Sequence, residues 1–287
     1  MLPHLGAHAG RVLGAAGAGG DPTFAIDHEA EAELERFLAE RAPELAFYSE
    51  DRGLVEPAGG AEHVLVVDPI DGTRPAMAGL ESCCVSVAAA PLPDPTMADV
   101  SAACVVEIPS GAVFLAERGR LVESPGGALS ANEDLSRLFW TYGFRGRPAR
   151  ALTEVLAELI DGSSVGGGTF ELGSAAFDMT RVATGQLDAY VEPGPLLVSE
   201  VPGMREEFER LGGGSVLNNS PYDLAAAALV CEEAGVVVTD GRGEPLGARP
   251  LLGSGAEFQM SVVASANEVL HGQIIEAVGA GLLRLKG

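Results

Sequence analysis

Residues 64–76 read VLVVDPIDGTRPA. Four apolar residues, Val64 to Val67, form a strand that runs straight into Asp68, and Asp71 follows three residues later. Pro69 withholds a ladder hydrogen bond, and Gly72 permits a sharp turn. Asp68 and Asp71 are therefore expected to point at one volume beyond the end of a buried strand, where ligands gather in α/β layouts. Two carboxylates about 4–6 Å apart in a low-dielectric site repel, so they require a shared proton or a bound cation. With neither Cys nor His in the stretch, oxygen-only ligation selects a hard cation, Mg²⁺ above all. Thr73 adds a hydroxyl, and the amides of Gly72 and Thr73 can form an anion-binding nest. Carboxylates, a cation and free amides together are the components of phosphoryl-oxygen chemistry. An Asx-rich turn that merely caps a helix is the plainer alternative for this stretch on its own.

The rest of the composition limits the options. The chain has 287 residues, 47% of them hydrophobic, and a mean hydropathy of +0.20, enough for one large or two modest cores. Forty-one acids against 18 Lys and Arg give a net charge of −23, which disfavours nucleic acid and anionic membranes as partners. The same charge opposes an anionic substrate unless metal ions reverse the sign locally. Cys83, Cys84, Cys104 and Cys231 have no CxxC spacing and no accompanying His cluster, which argues against zinc. They read as thiols of a reducing compartment, the cytoplasm. The first 20 residues lack a basic leader and an unbroken apolar run, so no signal peptide is expected. No stretch approaches the roughly 20 apolar residues of a membrane span.

Outward from the strand, Asp27 to Leu45 has helical periodicity with Ala30, Leu34, Phe37 and Leu38 as its apolar stripe, and Pro43 marks its end. Residues 46–48 read as a short strand ending at Ser49-Glu50-Asp51, and 83–90, 101–108 and 112–117 as three further strands of an antiparallel sheet. Beyond residue 130 strands and helices alternate: strands at 138–143, 188–193, 236–240 and 261–265, helices at 151–160, 174–185, 222–235 and the C-terminus. We therefore expect an α+β part at 1–133 and an α/β part at 134–287. Residues 195–220 stand apart, holding one short charged helix between Pro202-Gly203 and a triple glycine; they read as a surface excursion or a hinged lid.

DPIDGT at 68–73 and YDLAAAALVCEEAGVVVTD at 222–240 together resemble the inositol monophosphatase family of Mg²⁺-dependent, lithium-sensitive phosphatases. FYSEDRG, ELGSAAFDMTRVATGQLDAYVE and SVVASANEVLHGQI add weaker matches, so the likeness spans about residues 24 to 280. The resemblance implies a layered α/β/α/β/α sandwich, often a homodimer. It also implies that Glu50, Asp68, Asp71 and the Ile70 carbonyl hold metal, with Asp223 joining Asp68 and Asp71 around a second ion, two or three Mg²⁺ in all. On the same basis Glu50 and Thr73, with Asp71, activate water, while Gly72 and Thr73 hold phosphate. Gly173, Ser174, Ala175 and Glu192 would face the substrate.

The chain departs from the family pattern in three places. Arg74-Pro75-Ala76 replaces a polar residue followed by Phe, and Arg74 can reach a second anionic group. Ile26 stands before Asp27 where Thr is frequent, which argues against a metal role for Asp27. Glu192 and Asp223 lie 31 residues apart, far more than in compact members. The expected function is a Mg²⁺-dependent phosphomonoesterase acting on a small polyol or sugar phosphate. The alternatives are a histidinol-phosphate phosphatase or sugar bisphosphatase of the same superfamily, and, from another class, a catalytically inactive metal-binding regulatory protein.

Overall fold

The computed structural model describes residues 5–6, 13–16 and 22–287. A short antiparallel pair, β1 (Leu13–Ala16) and β2 (Pro22–Phe24), leads into helix α1 (Ala25–Arg41). The first large sheet comprises β3 (Ala46–Ser49), β4 (Gly53–Val55), β5 (His63–Asp71), β6 (Cys84–Pro91), β7 (Ala102–Glu107), β8 (Val113–Glu117) and β9 (Arg120–Glu123), with the short helix α2 (Thr73–Ala78) after β5. Its spatial order is β4-β3-β5-β6-β7-β8-β9, antiparallel throughout except for the β3–β5 pair.

The second half follows as β10 (Phe139–Tyr142), α3 (Ala149–Gly162), β11 (Gly168–Phe170), α4 (Ala175–Ala183) and β12 (Ala189–Glu192). Two short helices come next, α5 (Gly194–Glu200) and α6 (Met204–Leu211), and then α7 (Pro221–Ala234), β13 (Val237–Thr239), β14 (Val262–Ser265) and α8 (Glu268–Lys286). Its five strands are ordered β11-β10-β12-β14-β13; the first three run parallel and the last two pairings are antiparallel.

Strand alternation explains the layering. Along β12, Tyr190 enters one core, which α4 and α7 share with the strands of the seven-stranded sheet, while Ala189 and Val191 enter another with α3 and α8. Helices α4 and α7 are thus sandwiched between the two sheets, α3 and α8 cover the outside of the five-stranded sheet, and α1 covers β5. The result is a five-layered α/β/α/β/α arrangement. α7 can occupy the middle because Ala225 to Ala228 are all buried, a run small enough for close approach to strands on both sides. Among the described residues no helix is long and apolar enough to cross a membrane.

Two expectations need correcting. Phe37 stands 54% exposed rather than in the α1 stripe. The packed face instead includes Glu31, whose carboxylate accepts hydrogen bonds from the Ser49 hydroxyl (2.9 Å) and the Asp51 amide (3.4 Å), an anchor that apolar periodicity does not reveal. The second concerns 195–220, which is neither a surface decoration nor a hinged lid. It holds two helices, and Leu196, Leu197, Val201, Phe208 and Val216 are buried in the core beneath α3 and α8. A segment that supplies core side chains cannot swing away without opening that core. Truncating fully buried Phe208 to Ala should therefore cost about 3–5 kcal/mol. Denaturant unfolding checks this; a loss under about 0.5 kcal/mol is what a surface decoration would give.

Candidate active site

The site begins with an irregularity in β5. Asp68 pairs with Ser86 and Asp71 with Cys84, so three steps along β5 match two along β6. Strict alternation would send Asp68 and Asp71 to opposite faces; the extra residue in the bulge brings both to one side. Asp68 is 4% and Asp71 6% exposed. Gly72 ends the turn at φ +89°, where a Cβ would stand 2.5 Å from the Ser82 carbonyl oxygen and 2.9 Å from Ser174 Cβ. Only glycine fits there.

Two more acids arrive from other elements. Parallel pairing of β3 with β5 sets Ser49 opposite Val67, so Glu50 emerges at the same sheet edge as Asp68. Asp223 comes from the first turn of α7, where its carboxylate accepts the Ser220 amide at 2.6 Å and caps the helix. One carboxylate oxygen each of Asp68, Asp71 and Asp223 lie within 4.8 Å of one another. Glu50, Asp71 and Asp223 line two adjoining cavities of about 460 and 70 Å³; Asp68 borders the larger.

Burial drives the electrostatics. Loss of solvent pushes the Asp68 carboxyl well above its ordinary range, and the charges of Asp71, Glu50 and Asp223 push it further. Asp71 is raised from 3.8 to about 6, again chiefly by burial, against the lowering effect of its hydrogen bonds from the Ser174 hydroxyl (2.7 Å) and the Ala176 amide (2.6 Å). These donors form the N-terminus of α4, so Ser174 and Ala175, expected at the substrate, stand where they orient Asp71; both also border the smaller cavity, as does Gly173. An all-oxygen donor set, with Asp68 and Asp71 buried and Asp223 half-buried beside them, fits a hard divalent cation.

Thr73 opens α2, and its hydroxyl lies 3.0 Å from Asp27 Oδ1 and 3.1 Å from the Ile70 carbonyl. Asp27 also accepts the Phe24 amide at 2.8 Å as the cap of α1. Asp27 thus fixes the Thr73 hydroxyl, a role that its neighbour Ile26 gives no hint of. Arg74 is exposed, with its guanidinium 5.3 Å from the Phe24 ring centre, on the rim of the larger cavity.

The structure removes Glu192 from the expected substrate face. Its side chain is fully buried, borders neither cavity, pairs with the 4%-exposed Arg147 guanidinium, and accepts the Gly194 amide at 2.7 Å. The physical reason is charge compensation: an arginine from the β10–α3 connection covers the acid. Sequence reasoning missed Arg147, together with Asp178, Asn218 and Gln259, which border the smaller cavity. The GFRGRP segment after β10 carried the signal for Arg147, two arginines in a turn at a strand end.

The raised Asp71 sets a pH dependence. In the folded, metal-free chain Asp71 binds a proton more tightly than when unfolded, so stability falls as pH rises from about 4 to about 6 and stays lower above that. Mg²⁺ should therefore raise Tm more at pH 7.5 than at pH 5, and Asp71→Asn should flatten both effects. Thermal unfolding with and without Mg²⁺ checks this; an equal Mg²⁺ effect at both pH values in both proteins would contradict it.

The model of the inositol monophosphatase family matches residues 8–282. The chain is 32% identical over 259 residues to an inositol-1-monophosphatase of Mycobacterium leprae, covering 80% of this chain and 74% of that one. It is 28% identical over 274 residues to a fructose-1,6-bisphosphatase/inositol-1-monophosphatase of Methanothermobacter thermautotrophicus, covering 91% and 85%. Its fold superposes on the extragenic suppressor protein suhB of Bartonella henselae with a TM-score of 0.69 at 22% identity, over 93% of this chain and 88% of that one. The bulged β5 turn with its carboxylates, the five layers and the match across nearly the whole sequence agree: the chain belongs to the inositol monophosphatase family.

Proposed function

We propose that the chain is a Mg²⁺-dependent phosphomonoesterase for a small polyol or sugar phosphate. The observation that carries this reading is the meeting of buried Asp68 and Asp71 with half-buried Asp223, three carboxylates from two separate elements, beside the Gly72–Thr73 turn. In this reading Asp68, Asp71, Asp223, Glu50 and the Ile70 carbonyl would hold two or three Mg²⁺ ions. Such ions, when bound, cancel the acids' charge, polarise a phosphoryl oxygen and lower the pKa of water from about 15.7 towards neutrality.

The protein's own groups do the rest. Glu50 takes the proton of the attacking water as general base. Thr73, its hydroxyl held by Asp27, orients that water. The amides of Gly72 and Thr73 bind the phosphate oxygens. Asp71 is fixed by the Ser174 hydroxyl and the Ala176 amide, so it cannot turn away from its neighbours as charge builds. A homodimer working in the cytoplasm belongs to the same proposal.

The test is phosphate release from p-nitrophenyl phosphate and a panel of sugar and polyol phosphates, with and without Mg²⁺. Mg²⁺-dependent release is expected. Binding of Mg²⁺ with no release from any ester would favour a regulatory metal-binding protein, and release from histidinol phosphate or a sugar bisphosphate alone would select a sister activity. Glu50→Gln should lower kcat on the order of 10²–10⁴-fold with little change in KM. A rise in KM at constant kcat would make Glu50 a substrate contact instead.

A further inference from the structure

The turn that carries Glu50 is gripped from α1 by a single side chain. Glu31 is 2% exposed; its Oε2 accepts the Ser49 hydroxyl at 2.9 Å, and its Oε1 accepts the Asp51 amide at 3.4 Å. The residues on either side of Glu50 are thus held by one carboxylate. Further bonds close the same turn: the Arg52 amide donates to the Ser49 hydroxyl oxygen at 3.4 Å, and Asp51 Oδ1 accepts the Thr23 hydroxyl at 2.6 Å. Among the described residues no basic side chain forms an ion pair with Glu31; Arg52 meets Glu35 instead, at 3.4 Å. A buried carboxylate without a cationic partner is costly, so its presence calls for a reason beyond packing. The two donors supply one, since a carboxylate offers each of them an acceptor on a single fork.

Helix α1 reaches the site twice. Asp27 and Glu31 stand four residues apart and therefore share one side of the helix. Asp27 Oδ1 lies 3.0 Å from the Thr73 hydroxyl, and Glu31 holds the turn of Glu50. The proposed base follows β3 and the proposed orienting hydroxyl opens α2, yet both take their places from successive turns of one helix. That helix is itself fixed to the strand of Asp68 and Asp71, because Ile26 and Ala30 are buried in one cluster with Ile70. Asp27, Glu31, Glu50, Asp51 and Asp68 all border one small cavity, so the brace and the acids it serves surround a common space.

We propose that Glu31 is a positioning residue for the hydrolytic step: it holds the backbone on both sides of Glu50 so that this carboxylate meets the water that Thr73 orients. The assignment rests on the phosphomonoesterase reading and deepens it. Glu31 acts through Glu50 and not through its own charge.

The test is steady-state hydrolysis of p-nitrophenyl phosphate by the full chain with Mg²⁺, with the Tm of each variant measured alongside. A shift of about 1 Å at a reacting group costs up to about 10²-fold, so Glu31→Met should lower kcat about 10- to 100-fold and leave KM within about twofold. Glu31→Gln should bring kcat back to within about threefold of wild type, because its carbonyl can accept the Asp51 amide while its NH₂ donates to the Ser49 oxygen. In a Glu50→Gln background Glu31→Met should lower kcat by less than about twofold more, the non-additivity expected of residues that act as a unit. Ser49→Ala removes one of the two bonds and leaves α1 unaltered; it should show the same dependence on Glu50, and it carries the test if Glu31→Met does not fold. Wild-type kcat in Glu31→Met, a rise in KM at constant kcat, a loss in Glu31→Gln as large as in Glu31→Met, or equal losses in both backgrounds overturns the assignment while leaving the phosphatase reading standing. No turnover by the wild-type chain removes both.

Discussion

Mutual repulsion among buried carboxylates is the constraint on which the rest of this molecule depends. One oxygen each of Asp68, Asp71 and Asp223 lies within 4.8 Å of the others, the charges of Asp71, Glu50 and Asp223 disfavour ionisation of Asp68, and burial of Asp68 and Asp71 removes water that would screen them. A flexible chain would relieve the strain by moving them apart. Here Asp68 and Asp71 are fixed in a bulge of a central strand, and Asp223 sits in a helix packed between two sheets. Ser174 and Ala176 hold Asp71 from a third direction. The layered core is therefore the device that keeps like charges together, and in the proposed reading a bound cation would be the partner that makes their proximity favourable.

The same logic reconciles a −23 protein with an anionic substrate. Net charge governs long-range approach, whereas binding depends on the local sign, and divalent ions held among the acids, as proposed, would set that sign. Most of the remaining acids are ordinary surface groups, several in exposed ion pairs such as Arg36 with Glu33 and Glu40, which contribute little to stability.

How much of this was legible in the sequence varies with the range of the interaction. VLVVDPIDGT disclosed a strand, a turn and two converging acids, because Pro69 and Gly72 act locally on the backbone. The bulge that makes the acids converge depends on register against β6 and was not readable. Asp223 looked like a helix cap, and it is one; its place beside Asp71 came only from family resemblance. Glu192 failed as a substrate contact because its environment is set by Arg147, 45 residues earlier in sequence. The packing of 195–220 failed for a similar reason: Phe208 lies in a charged segment, MREEFERL, whose composition reads as surface, yet one buried aromatic per helix suffices to dock it. Local chemistry was visible, and tertiary compensation was not.

The central claim is that the converging carboxylates are a divalent-cation site. Crystals grown with Mn²⁺ in place of Mg²⁺ test it most directly, since the anomalous signal locates the ion without reference to turnover. The account predicts Mn²⁺ bound among Asp68, Asp71, Asp223 and Glu50 in the wild-type chain, with occupancy lost or sharply reduced in Asp71→Asn. Mn²⁺ bound only elsewhere, or no ion at saturating concentration with the fold intact, would contradict it.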